Sequence, residues 1–77
     1  MNGEIVQVSG SVVDVVFEKG NLPKIREALT AVLDGKTHVM EVAQHIGGGR
    51  VRCIMLSESE GLYRGMVVTA KGNKNTF

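Results

Sequence analysis

The segment from Glu4 to Phe17, EIVQVSGSVVDVVF, changes the phase of its own alternation, and that change limits what the chain can fold into. Before Gly10, a strand pattern puts Val6 and Val8 on one face, with Ile5 and Gln7 on the other. After it, Val13, Val15 and Phe17 share a face opposite Asp14 and Val16. β-Branched residues at this density favour strands. Side chains on a strand alternate with a period of two, so one extra residue must be absorbed between the two sets. Gly10, flanked by Ser9 and Ser11, is the expected place for a bulge or sharp bend in one long strand. Val8 and Val13 are then both expected inside. Small closed barrels bend their long strands in this way.

The rest of the chain supplies the remaining walls. Pro23 tolerates the first turn of a helix because it lacks an N–H. Ile25, Ala28 and Leu29 recur at helical spacing, so residues 23 to 29 are expected to form one short helix, too short to stand unpacked. From Thr30 to Leu33 the composition turns strand-like again. Asp34-Gly35 is a two-residue hairpin signal leading into KTHVMEVAQHI, where Met40, Val42 and Ile46 alternate with Val39, Glu41 and His45. Met40 and Val42 are expected to point inward. Val51, Cys53 and Met55 alternate with Arg50, Arg52 and Ile54 and form another inward set. Gly61 and Gly65 bracket a turn before a short strand from Met66 to Thr69. The segment from 71 to 77 has no apolar face and reads as a tail or the start of a linker. The sum is an all-β fold, a small closed six-stranded antiparallel barrel of Greek-key type with one short helix, over residues 3–70.

Between two of these strands stand Gly47, Gly48 and Gly49, followed by Arg50. A glycine loop that cradles phosphate works because its N–H groups lead into a helix N-terminus. VRCIML is no helix start, and the lysine and serine or threonine of a phosphate loop are missing. The three glycines therefore read as a tight corner joining antiparallel strands.

A chain of 77 residues is one domain at most. At this size folding buries only about 60% of the unfolded surface, so the core is marginal. Disulfides cannot reinforce it, because there is one cysteine, and a zinc-type cluster is poorly served by one cysteine and two histidines. A partner or a larger parent chain is the remaining source of stability. The net charge is +1, from nine basic and eight acidic residues scattered along the chain, which is no basic stripe for nucleic acid. Phe17, Tyr63 and Phe77 are too few for a base-stacking surface. No apolar run is long enough to span a membrane as a helix. MNGEIVQV has no basic region ahead of an apolar stretch, so no secretory signal is expected.

The residue types that carry chemistry are isolated from one another. His38 and His45 are separated by an odd number of residues and fall on opposite faces of a regular strand; both are expected at the surface. Glu41 and His45 share a face but lie about 13 Å apart along it, too far for one metal ion. Cys53 has the phase of a buried small hydrophobe rather than a nucleophile. Glu58 and Glu60 fall in a serine-rich turn. Arg50, Arg52 and Arg64 are of a type enriched at interfaces, but a solvated barrel wall is the default reading for them. No catalytic, metal or cofactor site is expected in these residues.

GEIVQVSGSVVDVVF, LPKIREAL, MEVAQHIGGGRVRCIML and GLYRGM occur in an order and spacing that resemble the N-terminal barrels of F-type ATP synthase beta subunits, from Gly3 to about Thr69. Those barrels commonly carry T-D-G where this chain has Ser59-Glu60-Gly61, and a proline where AKGNKNTF has none. The resemblance implies a structural role: barrels of alpha and beta subunits form the crown ring of a hexamer that stays nearly fixed while the lower parts open and close. It implies a parent that synthesises ATP from ADP and phosphate with a proton gradient, as a peripheral membrane complex facing the cytoplasm, matrix or stroma. The magnesium-ATP or ADP site and the catalytic residues would lie in a nucleotide-binding domain beyond residue 77, and none maps onto these positions. The competing reading is a free-standing barrel of the OB type that binds single-stranded nucleic acid.

Overall fold

The computed structural model describes residues 1–18 and 20–70, and the expected tail or linker from 71 to 77 lies outside the described residues. Six strands run in order: β1 (Asn2–Ser9), β2 (Val12–Phe17), β3 (Ala28–Leu33), β4 (Lys36–Gly47), β5 (Arg50–Met55) and β6 (Val67–Ala70). They close into a barrel with the order β1-β2-β5-β4-β3-β6, every neighbouring pair antiparallel. The β3-β4-β5 meander, with the preceding strand β2 paired beside β5, is a Greek key. Closure leaves no strand edge free along the barrel wall.

The core is one cluster inside the barrel. Ile5, Val13, Val15, Phe17, Leu29, Ala31, Met40, Val42, Val51, Cys53, Met55, Met66, Val68 and Ala70 are buried, with Val8, Leu22, Leu33 and Leu62 packed against them. Val13, Val15 and Phe17, then Met40 and Val42, then Val51, Cys53 and Met55 thus occupy the inside. Val6 does not. It is half-buried while Ile5 is fully buried, the reverse of the expected phase. The register against β2 slips between Ile5 and Gln7, so the extra residue is a bulge at Val6. Gly10 is no bend in a long strand. It starts a two-residue hairpin loop, with Ser9 opposite Val12 and Val8 opposite Val13. The phase therefore changes within β1, while the glycine reverses the chain.

No helix is present among the described residues, and the expected helix over 23–29 is replaced by a turn and the start of β3. Glu27 N–H donates to the carbonyl of Lys24, three residues back, and Arg26 has φ of 77°. Arg26 N–H then donates to Val42 O, and Val42 N–H to Glu27 O. A single helical turn would satisfy few backbone groups. Pairing with the long strand β4 satisfies them and buries Leu29.

Every glycine expected at a turn has positive φ: Gly10, Gly35, Gly47, Gly48, Gly49, Gly61 and Gly65. Gly48 and Gly49 form the loop between β4 and β5, with Gly47 opposite Arg50. The connection from β5 to β6 is tied across one end of the barrel: Leu56 N–H donates to Val39 O, Val39 N–H to Ser57 Oγ, and Ser59 Oγ to Gly10 O.

Candidate functional site

The polar centre of the molecule lies on the outside of the barrel, over β2 and β5. Asp14 alternates with buried valines and so points outward, directly opposite Arg52 on β5. Its carboxylate is nevertheless only 2% exposed, because two guanidiniums cover it. Arg52 donates from Nε to Oδ1 at 2.9 Å and from Nη2 to Oδ2 at 3.0 Å. Arg50, two residues away on the same face, donates to Oδ2 from Nη2 at 2.8 Å and from Nε at 3.1 Å. Arg50 Nη2 also reaches Gln7 Oε1 on β1 at 3.0 Å. Three adjacent strands are thus joined by one carboxylate and its partners.

The electrostatics follow from this geometry. The Arg52 hydrogen bonds hold the Asp14 carboxyl below the usual carboxylate range, burial works against them, and Arg50 adds to the lowering. Asp14 in turn raises the Arg52 guanidinium above its ordinary value. A depressed acid contributes stability that is present above its unfolded value and lost as pH falls through its folded value. Urea stability should therefore decline on acidification below about pH 4, the ordinary range of an aspartate. Asp14→Asn should flatten that decline and lower stability at neutral pH by about 1–3 kcal/mol, since hydrogen bonds to charged groups are lost. Equal pH profiles of the two proteins in urea melts would show that Asp14 has no such role.

His38 is not at the surface. It is 3% exposed, on the inward face with Met40 and Val42, and Nδ1 donates to Glu58 O at 2.8 Å. His45 is exposed, and Nε2 donates to Pro23 O at 2.7 Å. The two do not alternate across a regular strand, because β4 slips register between Val42 and Gln44 and again between His45 and Gly47. After the first slip His45 stands opposite the inward Val51, and after the second Ile46 is left exposed. The structure does not bring the two histidines together. Glu58 and Glu60 line a depression of ≈ 240 Å³ with Leu33, Asp34, Lys36 and His38. Among the described residues, no group of three or more His, Cys, Asp or Glu side chains is placed to hold a metal ion.

Cys53 is fully buried, and burial, followed by the nearby Asp14 carboxylate, pushes its thiol up to about 12. A thiol so far from ionising packs as a hydrophobe. Arg64 is exposed and takes no part in the Asp14 cluster. Asp14 as the common anchor of Arg50 and Arg52 was not among the expectations from the sequence, which took the arginines of the wall as solvated by default. The signal was available: one acid in an otherwise apolar strand, with two arginines at outward phase elsewhere.

Residues 5–72 match the ATP synthase alpha/beta family, beta-barrel domain. Among solved structures, the barrel is similar to part of the assembled ATPase EscN from the type III secretion system of enteropathogenic E. coli. That likeness has a TM-score of 0.64 and 22% sequence identity, covering 91% of this chain and 16% of that one. The likeness is one of fold, and this chain spans a small part of that ATPase's length. With four segments in family order, a closed six-stranded barrel and a family match over nearly all its residues, this chain belongs to the ATP synthase alpha/beta family and forms its beta-barrel domain.

Proposed function

We propose that this barrel is the crown domain of an ATP synthase F1 beta subunit, a structural element that ties alpha and beta subunits into a hexameric ring. The family match carries the reading. The VVDV stretch and the QHIGG corner support the beta type, because the barrels of alpha subunits resemble a different pattern that lacks both. The closed barrel supports a scaffold role on physical grounds: with no free strand edge, it meets neighbours through side-chain walls and keeps its shape while they move. In this reading residues 71–77 lead toward a nucleotide-binding domain that holds magnesium and ATP or ADP. The barrels form a stiff hoop against which those domains hinge, in a complex attached to an energy-coupling membrane.

A chimera tests the assignment. Residues 3–70 placed in a full beta subunit, in exchange for its own barrel, should support hexamer assembly with alpha subunits. The same exchange in an alpha subunit should not. Assembly in neither background, or only in the alpha background, would refute the beta-type reading. Calorimetry of the 77-residue chain with magnesium-ATP gives a second check. No saturable heat is expected, because no phosphate loop is present in the sequence.

A further inference from the structure

One end of the barrel gathers acceptors that have no donor among the described residues. Leu33, Asp34 and Lys36 of the β3–β4 hairpin, His38 of β4, and Glu58 and Glu60 of the β5–β6 connection line the depression of ≈ 240 Å³. Asp34, Glu58 and Glu60 are exposed, and none forms an ion pair among the described residues. Lys36 sets one positive charge against these three carboxylates, which leaves two negative charges in excess. Carboxylates alone would make this a solvated surface.

His38 makes it more than that. It lines the same depression and yet is 3% exposed. Glu58 O can only accept, so Nδ1 carries the proton of the neutral ring. Nε2 then presents a lone pair, and it has no partner among the described residues. A buried acceptor without a donor is costly. Its neighbours decide which donor suits it. A metal ion needs ligands that converge, and no three of these groups do. A guanidinium instead spreads five N–H donors over a plane, pairs well with carboxylates and gives up its water more readily than an ammonium.

We propose that this depression binds a guanidinium group, which donates to Nε2 of His38 and to the carboxylates of Glu58 and Glu60 while Leu33 packs on its stem. The group belongs to free arginine or to an arginine side chain of another protein, and both present the same chemistry. The site lies at a barrel end and is independent of the ring reading, which chimera assembly tests.

Amide shifts of the chain and the ring-nitrogen shifts of His38, titrated with N-acetyl-arginine amide at neutral pH, test it. Shifts are expected at Asp34, Lys36, Glu58, Glu60 and Nε2 of His38. They should saturate in the millimolar range, as suits so small a ligand, and weaken as salt is raised. The uncharged citrulline analogue should leave them unmoved. Glu58→Gln with Glu60→Gln, at two exposed positions, should weaken binding about fivefold to tenfold. Lys36→Gln removes the one opposing charge and should tighten it about twofold. Free arginine separates the two sources. If it binds more tightly than the capped form, its own carboxylate meets Lys36 and the ligand is the free amino acid; if not, the ligand is a partner's side chain. Shifts centred elsewhere, no saturation, a silent His38 ring, an equal response to citrulline or a double variant that binds as before would overturn the proposal.

Discussion

Val42→Asp should leave the chain unfolded at neutral pH. Val42 is 1% exposed, opposite the fully buried Cys53 and on the same inward face as Met40. Its backbone is also committed, with its N–H donating to Glu27 O and its carbonyl accepting from Arg26 N–H, so the strand cannot turn the new side chain outward without losing both bonds. An unpaired carboxylate in such surroundings must either stay charged at heavy cost or take up a proton. A domain of this length has about 4–12 kcal/mol of stability in all. Burial would raise the folded value of this carboxyl above its unfolded one. Stability is then lowest above the folded value and returns as pH falls below it, opposite to the behaviour of Asp14. Circular dichroism should show an unfolded chain at neutral pH that regains strand signal on acidification. Val42→Ala serves as control, removing volume without charge at about 2–3 kcal/mol. A fully folded Val42→Asp protein at neutral pH would mean that the site is not in the core.

Most of the barrel was legible because strands announce themselves through a period of two. The sets Val13-Val15-Phe17, Met40-Val42 and Val51-Cys53-Met55 each lie on a stretch of strand that carries no bulge of its own, the extra residues falling elsewhere in β1 and β4, and there alternation translates directly into burial. It fails where register slips. The bulge at Val6 puts Ile5 inside and leaves Val6 half-buried, and the two slips in β4 expose Ile46 and set His45 opposite Val51. A bulge is a property of two paired strands, and a single strand's sequence does not show which residue its partner will skip. The same limit hid the Asp14 cluster, which exists only because β2 pairs with β5 across a long stretch of sequence. The absent helix has another cause. The spacing of Ile25, Ala28 and Leu29 is helical, but a segment this short takes the structure that its neighbours can bond. Gly3 illustrates a further blind spot. It is buried, and a Cβ there would lie 2.7 Å from Val15 Cγ1 and 2.8 Å from Phe17 Cζ, a packing demand with no trace in alternation.

Of the three glycines at the β4–β5 corner, Gly49 should be the one the fold cannot replace. All three have positive φ, so a side chain at any of them is strained. Space separates them. A Cβ on Gly47 or Gly48 would meet nothing within 4 Å, whereas on Gly49 it would lie 2.6 Å from the carbonyl oxygen of Phe17. That oxygen is backbone, and it is held in place because Phe17 N–H donates to Gly49 O at 2.7 Å. Relieving the clash would part the corner from the end of β2 and loosen Phe17, a buried core residue. Gly48→Ala should therefore cost about 1–2 kcal/mol, the penalty of a left-handed alanine, and Gly48→Asn less. Gly49→Ala should cost about 3 kcal/mol or more, because strain and a backbone clash add to the same dihedral penalty. Arg50→Ala, beside them, loses its bonds to Asp14 but leaves Arg52 in place, and should fall nearer Gly48→Ala. Urea midpoints of the four variants give the ranking. A Gly49→Ala protein as stable as Gly48→Ala would mean that the corner gives way to a methyl group and is not fixed against β2.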